Sequence, residues 1–139
     1  MTRELMAETA ALLPLLVAAV MDARHRRFPD WPTALVLACA LWKAAAAGTL
    51  WQSLAAGLGC GLLFLLAAVV TDGLGGADVK LLSALGALLG FSAALGVFCA
   101  AALPLAVYGR LRRMRSVPFA PFLLAAYAAR RFIIFLTVL

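Results

Sequence analysis

The chain has 139 residues, 66% of them hydrophobic and 13% charged, with 12 Lys and Arg against 6 Asp and Glu. Soluble domains run at about 45–50% apolar and about 25% charged, so a soluble fold of this size could not hide its apolar surface; disordered, collagen-like and disulfide-scaffold classes are excluded too. At about 17–25 residues per crossing, the length admits about six short spans: an all-α, polytopic integral membrane protein, a single domain over residues 1–139 with no room for a soluble one.

The first span is expected over 7–21. Arg3, Glu4 and Glu8 precede its apolar run, and Arg24, Arg26 and Arg27 follow it. A secretory signal carries its positive charge first, so this order predicts a retained helix, an N-terminus outside and a C-terminal end facing the cytoplasm. Residues 22–32 are polar, with two prolines, and read as a loop. A second span over 33–47 begins at Pro32, with Trp31 at the interface and Lys43 snorkelling outward near the far end. A tight turn at Gly48-Thr49 leads to a third span over 50–71. It carries Gly57-x-x-x-Gly61, a close-packing signature that serves contacts inside the bundle or a homodimer, as does the pair Gly86/Gly90.

A glycine-rich loop over 72–80 follows. The apolar stretch 79–108 would make a helix of about 45 Å, too long for a hydrocarbon core of about 30 Å. A break near Gly90-Phe91-Ser92 divides it into spans 79–90 and 92–109. That division also places Arg110, Arg112, Arg113 and Arg115 inside, as the positive-inside rule asks. The last span, 118–138, is interrupted by Arg130 and Arg131, which mark the outer interface, with 132–139 lying along or re-entering the membrane. Inner loops then hold Arg24, Arg26, Arg27, Lys80 and those four arginines, most of the chain's cations. The net charge of +6 therefore sets topology and faces anionic lipid, and nucleic acid is not expected.

Few residues are available for chemistry. Cys39, Cys60 and Cys99 lie far apart and His25 has no second ligand nearby, so no disulfide, metal or cofactor is expected. Glu4 and Glu8 read as solvated terminal groups. Asp22, Asp30, Asp72 and Asp78 all fall in the first two inner loops. Two crossings separate Asp22 from Asp78, which returns the second to the membrane face of the first. Asp22 lies at a helix C-terminus, where the dipole disfavours negative charge; Asp78 lies at an N-terminus, which favours it. If the two meet, one carboxyl holds a proton while the other stays ionised, and the pair titrates as a unit. That is the equipment of aspartyl proteolysis. The plain alternative is solvated ion pairing, for instance Asp22 with Arg26. Gly73, Gly75 and Gly76 form a turn rather than a nucleotide loop, because Lys80 is followed by Leu81-Leu82 and no strand precedes it.

Three ordered stretches carry a resemblance. Asp22-Ala-Arg-x-x-Arg-Phe-Pro-Asp30 is similar to the Asp-x-Arg-x-x-x-Ile-Pro-Asn signature of prepilin peptidases. Residues 73–86, Gly-Leu-Gly-Gly-Ala-Asp-Val-Lys-Leu-Leu-Ser-Ala-Leu-Gly, resemble their Gly-x-Gly-Asp-x-Lys signature. Val117-Pro-Phe-Ala-Pro-Phe122 resembles a Pro-Phe-Gly-Pro-Phe element before the last helix. The resemblance implies a GxGD-type aspartic endopeptidase of the cytoplasmic (inner) membrane. Its substrate would be a single-span type IV (Flp-like) prepilin or pseudopilin, its partners otherwise membrane lipids. Asp22 and Asp78 match the catalytic aspartates; Gly75, Gly76 and Lys80 match flanking positions, where small residues admit a substrate backbone and Lys80 biases the pair's charge or meets lipid phosphate. Ala77, Asp30, Phe28 and Ala120 depart from the family's residues, and Ala77 requires a backbone open to L-residues. The cysteine-rich insert of larger members is missing, which places the chain with the short, peptidase-only branch, associated with Flp-type pili and preflagellin processing, and without methyl transfer. The rival readings are a non-catalytic membrane scaffold that retains the fold and a small transporter, the latter disfavoured by how few polar residues the spans carry.

Overall fold

A computed structural model describes residues 2–25, 29–71, 75–113 and 118–139. Seven helices follow in order: α1 (Thr2–Ala10), α2 (Leu12–His25), α3 (Trp31–Ala47), α4 (Leu50–Thr71), α5 (Gly76–Leu89), α6 (Phe91–Arg112) and α7 (Ala120–Val138). Among the described residues there is no strand. The expectations placed on Arg26, Arg27, Phe28, Asp72, Gly73, Arg115 and Val117 lie outside the described residues.

Helices α1 and α2 form one rod. The Ala11 and Leu15 amides bond the Ala7 and Ala11 carbonyls at 3.0 and 3.2 Å. The irregularity at Ala11 traces to Pro14, which has no N–H for the Ala10 carbonyl and whose ring crowds it. The rod Arg3–His25, with α4, α6 and α7, is long and apolar enough to cross a membrane, and Trp31–Ala47 is a shorter apolar helix. Trp51, Val70 and Leu139 are 85%, 81% and 87% exposed. Large apolar side chains exposed this broadly require lipid as their solvent, and the chain is a multi-pass membrane protein.

Both expected breaks occur. Gly48 closes α3 at φ 70°. The Thr49 and Gly48 amides bond the Ala44 and Ala45 carbonyls, the Schellman pattern that glycine's left-handed freedom allows. Gly90 ends α5 at φ 91°, so its glycine serves the turn.

Helix α5 is the centre of the bundle. Leu81, Leu82, Leu85 and Leu88 are fully buried. Its seam with α4 is close-packed. A Cβ on Gly57 would stand 3.0 Å from the Ala87 Cβ, one on Gly61 3.0 Å from the Ser83 Oγ, and one on Gly86 2.6 Å from the Cys60 Sγ. Three of the four paired glycines thus let α4 and α5 approach within the chain. Ser83 and Ser53 Oγ add bonds to the Gly57 and Ala87 carbonyls, at 2.8 and 2.7 Å.

The structure corrects three readings at the other end of the bundle from Asp22. Glu8 is not solvated: its side chain is 12% exposed, and it accepts from both Lys43 and Arg131. Lys43 does not snorkel away; besides Glu8 it bonds the Leu88 carbonyl at 3.0 Å. Arg130 and Arg131 do not interrupt the last helix, since α7 runs unbroken to Val138. Arg131 neutralises itself against Glu8 at 2.8 Å, and the Tyr127 hydroxyl donates to the Glu8 carbonyl at 2.7 Å.

Candidate active site

Asp22 stands in the last turn of α2 and is 9% exposed. A buried carboxylate requires donors. One comes from the start of α7: the Ala120 amide donates to the Asp22 Oδ2 at 3.1 Å. Phe119 is the N-cap and a proline follows in the first turn. The unpaired amides and positive dipole end of α7 therefore face a carboxylate that its own helix disfavours.

Aromatic packing holds that helix start in place. Phe119 is buried against Phe98, with centroids 5.8 Å apart, and Phe98 meets Phe64 at 4.6 Å with the rings tilted by 52°. Phe122 meets Tyr108 at 5.7 Å. The third motif thus carries a structural job that sequence reasoning left blank: it fastens a helix N-terminus onto Asp22. The missed participant is a backbone amide.

Asp78 stands in the first turn of α5, ahead of the apolar stretch 79–90 and half-buried. Gly75 is the N-cap, so Asp78 is the third helical residue, and it takes a backbone hydrogen bond from Gly75, the reaching-back half of a capping box. Burial pushes its carboxyl up to about 6, the negative charge of Asp22 pushes the same way, and the Gly75 bond opposes them. The structure accordingly brings the electrostatics of Asp22 and Asp78 together, although 56 positions separate them in the sequence.

The flanking residues divide. Gly75 lies at φ −73°, ψ 151°, an ordinary extended conformation, yet a Cβ there would stand 3.4 Å from the Asp78 Oδ2. A Cβ on Gly76 would meet nothing within 4 Å. Neither glycine is demanded by backbone strain or packing; Gly75 leaves room beside the carboxylate, and Gly76 faces open space. Ala77 is helical, and among the described residues the only positive φ outside glycine is at Arg113. The alanine therefore fits without strain. Lys80 does not reach the aspartate pair: its Nζ bonds both Asp30 carboxylate oxygens at 3.1 Å, an exposed tie between the start of α3 and α5.

Beside this tie opens a groove of about 450 Å³, with Thr33, Leu37, Gly61, Val79, Ser83 and Ala84 among its walls and Asp30 and Lys80 at its edge. Among the described residues, no group of three His, Cys, Asp or Glu is placed to hold a metal ion. The arrangement suits acid–base chemistry on a bound backbone, from two carboxyls in unlike environments.

Neither a curated protein nor a solved structure matches the chain. Residues 9–110 match the model of the type IV leader peptidase family, a stretch that contains Asp22, the Gly75–Lys80 segment and the whole of α3, α4 and α5. The chain belongs to the type IV leader peptidase family.

Proposed function

We propose that this protein is an aspartic endopeptidase of the inner membrane that removes the leader from a type IV (Flp-like) prepilin or pseudopilin at the cytoplasmic face, with its own N-terminus outside. The observation that carries the reading is the coupling of Asp22 and Asp78: one anchored by a helix N-terminus, the other driven up to about 6 by burial and by its partner's charge.

In this mechanism Asp78 holds the shared proton and donates a hydrogen bond to the scissile carbonyl. The Asp22 carboxylate takes a proton from water as the oxygen attacks that carbonyl carbon. Collapse of the tetrahedral intermediate breaks the C–N bond, and the amine leaves with a proton returned by the pair. The open flank at Gly75 and Gly76 admits the extended substrate backbone. The groove between α3, α4 and α5 receives the apolar helix of the precursor from the side, and its edge at Asp30 and Lys80 lies where the leader emerges. Residues for methyl transfer are not assigned, and the activity is proteolysis alone.

A non-catalytic scaffold was the rival, favoured by Ala77. Its helical, unstrained backbone removes that support. The test is leader removal from a co-expressed prepilin. Asp22→Asn and Asp78→Asn should each abolish cleavage while the protein accumulates in the membrane; complete processing by both variants would overturn the assignment.

A further inference from the structure

Away from the aspartate pair, α6 and α7 leave a groove of about 530 Å³ between them. Ala93, Gly96, Val97 and Ala100 line one side, and Ala126, Ala129, Arg130, Ile133 and Ile134 the other. A Cβ on Gly96 would meet nothing within 4 Å, so the two helices do not close on each other here. The walls are apolar except for Arg130.

The charge balance is uneven at this level. Glu8 has two carboxylate oxygens, and both are taken: one by Lys43, the other by Arg131. Lys43 and Arg131 therefore share one anion. Arg130 is left over. Its Nη1 is buried and has no hydrogen-bond partner among the described residues. A buried guanidinium nitrogen without a partner is costly, and the fork of donors of an arginine matches phosphate oxygens in pairs.

We propose that the α6–α7 groove is a binding site for an anionic phospholipid, with the phosphate on Arg130 and an acyl chain along the alanine and glycine wall. The solvent of this surface is lipid, so the ligand is at hand. An anionic headgroup matches the surplus cations; a zwitterionic one brings an ammonium into a region already positive. A transmembrane helix of a partner protein would have to carry its own buried acid to match Arg130.

The test uses the full-length protein purified in mild detergent and native mass spectrometry with added phosphatidylglycerol or phosphatidylcholine. Wild type should retain one phosphatidylglycerol at least about tenfold more strongly than phosphatidylcholine, the scale of one charge-assisted contact. Arg130→Gln should abolish that preference, and Arg130→Lys should keep part of it. Gly96→Leu fills the groove with Arg130 intact and should displace the lipid, which covers the case in which the glutamine variant fails to fold. Equal retention of both lipids, unaltered retention in Gly96→Leu, or a bound protein helix in place of lipid would each overturn the proposal.

Discussion

Ala120→Pro isolates the amide that holds Asp22. Proline has no N–H, so the substitution deletes the 3.1 Å bond to the Asp22 Oδ2, and its ring also disfavours the αR backbone of the preceding Phe119. Position 120 is the first of α7, where proline is favoured because no earlier helical turn meets its ring. A hydrogen bond to a charged group contributes about 1.5–3 kcal/mol. If that energy is what holds Asp22 in its reactive position, its loss leaves that geometry about 10- to 150-fold less populated and slows cleavage by the same factor, at 1.36 kcal/mol per decade. Ala120→Gly keeps the amide and should stay within about threefold of wild type, since only a methyl is removed. The assay is a time course of leader removal from a co-expressed prepilin, normalised to the amount of peptidase in the membrane. Wild-type cleavage by Ala120→Pro at full membrane abundance would refute the role given to this amide.

The other expectations concern stability. Below its ordinary value of 3.8 the Asp78 carboxyl contributes in full; the contribution is lost as pH rises through about 6, on the order of 3 kcal/mol in all. Asp78→Asn should therefore raise stability above pH 6 and leave it unchanged near pH 3, read from a pH series of unfolding midpoints; a wild-type curve flat across this range would contradict the assignment. Cleavage that uses the protonated Asp78 should decline on the alkaline side of the same value. Gly86→Ala places a Cβ 2.6 Å from the Cys60 Sγ and should cost about 1–3 kcal/mol by overpacking; Cys60→Gly should restore most of it in a thermal melt, and an undisturbed Gly86→Ala would mean that the seam is looser than described. Glu8→Gln leaves Lys43 and Arg131 without their shared counter-charge, a loss of about 3–5 kcal/mol measurable by denaturation in mixed micelles.

The helix breaks, and the placing of Asp78 within the electrostatic reach of Asp22, were legible because each has a local cause. Gly48 and Gly90 occupy backbone conformations that side chains avoid, and a run too long for the hydrocarbon core has to turn. Counting crossings is enough to return Asp78 to the face of Asp22. The Ala120 amide had no such signal: a backbone donor looks the same in every residue, and only the fold shows which one points at a carboxylate. The pairs at the other end were hidden for a different reason. Glu8 meets partners 35 and 123 positions away, and long-range ion pairs leave no periodicity. Arg130 and Arg131 looked like a boundary because cations usually mark one, yet Arg131 has its anion inside the bundle, which lets α7 continue past it.

The length of α5 connects the two ends. Fourteen residues give about 21 Å, short of the hydrocarbon thickness, so at least one end of this buried helix must finish within the membrane. Backbone groups there find no water and need partners from the protein. The C-terminal carbonyls receive them: Ser53 bonds Ala87 and Lys43 bonds Leu88, the lysine also matching the negative end of the helix dipole. Lys43 is thereby drawn inward instead of to the surface, and Glu8 and Arg131 follow to balance it. With that end fastened by charge and the α4 seam fastened by glycine, α5 is held against sliding. At the opposite end Gly75 leaves room beside the Asp78 Oδ2, and in the proposed reaction this is where the substrate backbone would approach the carboxyl.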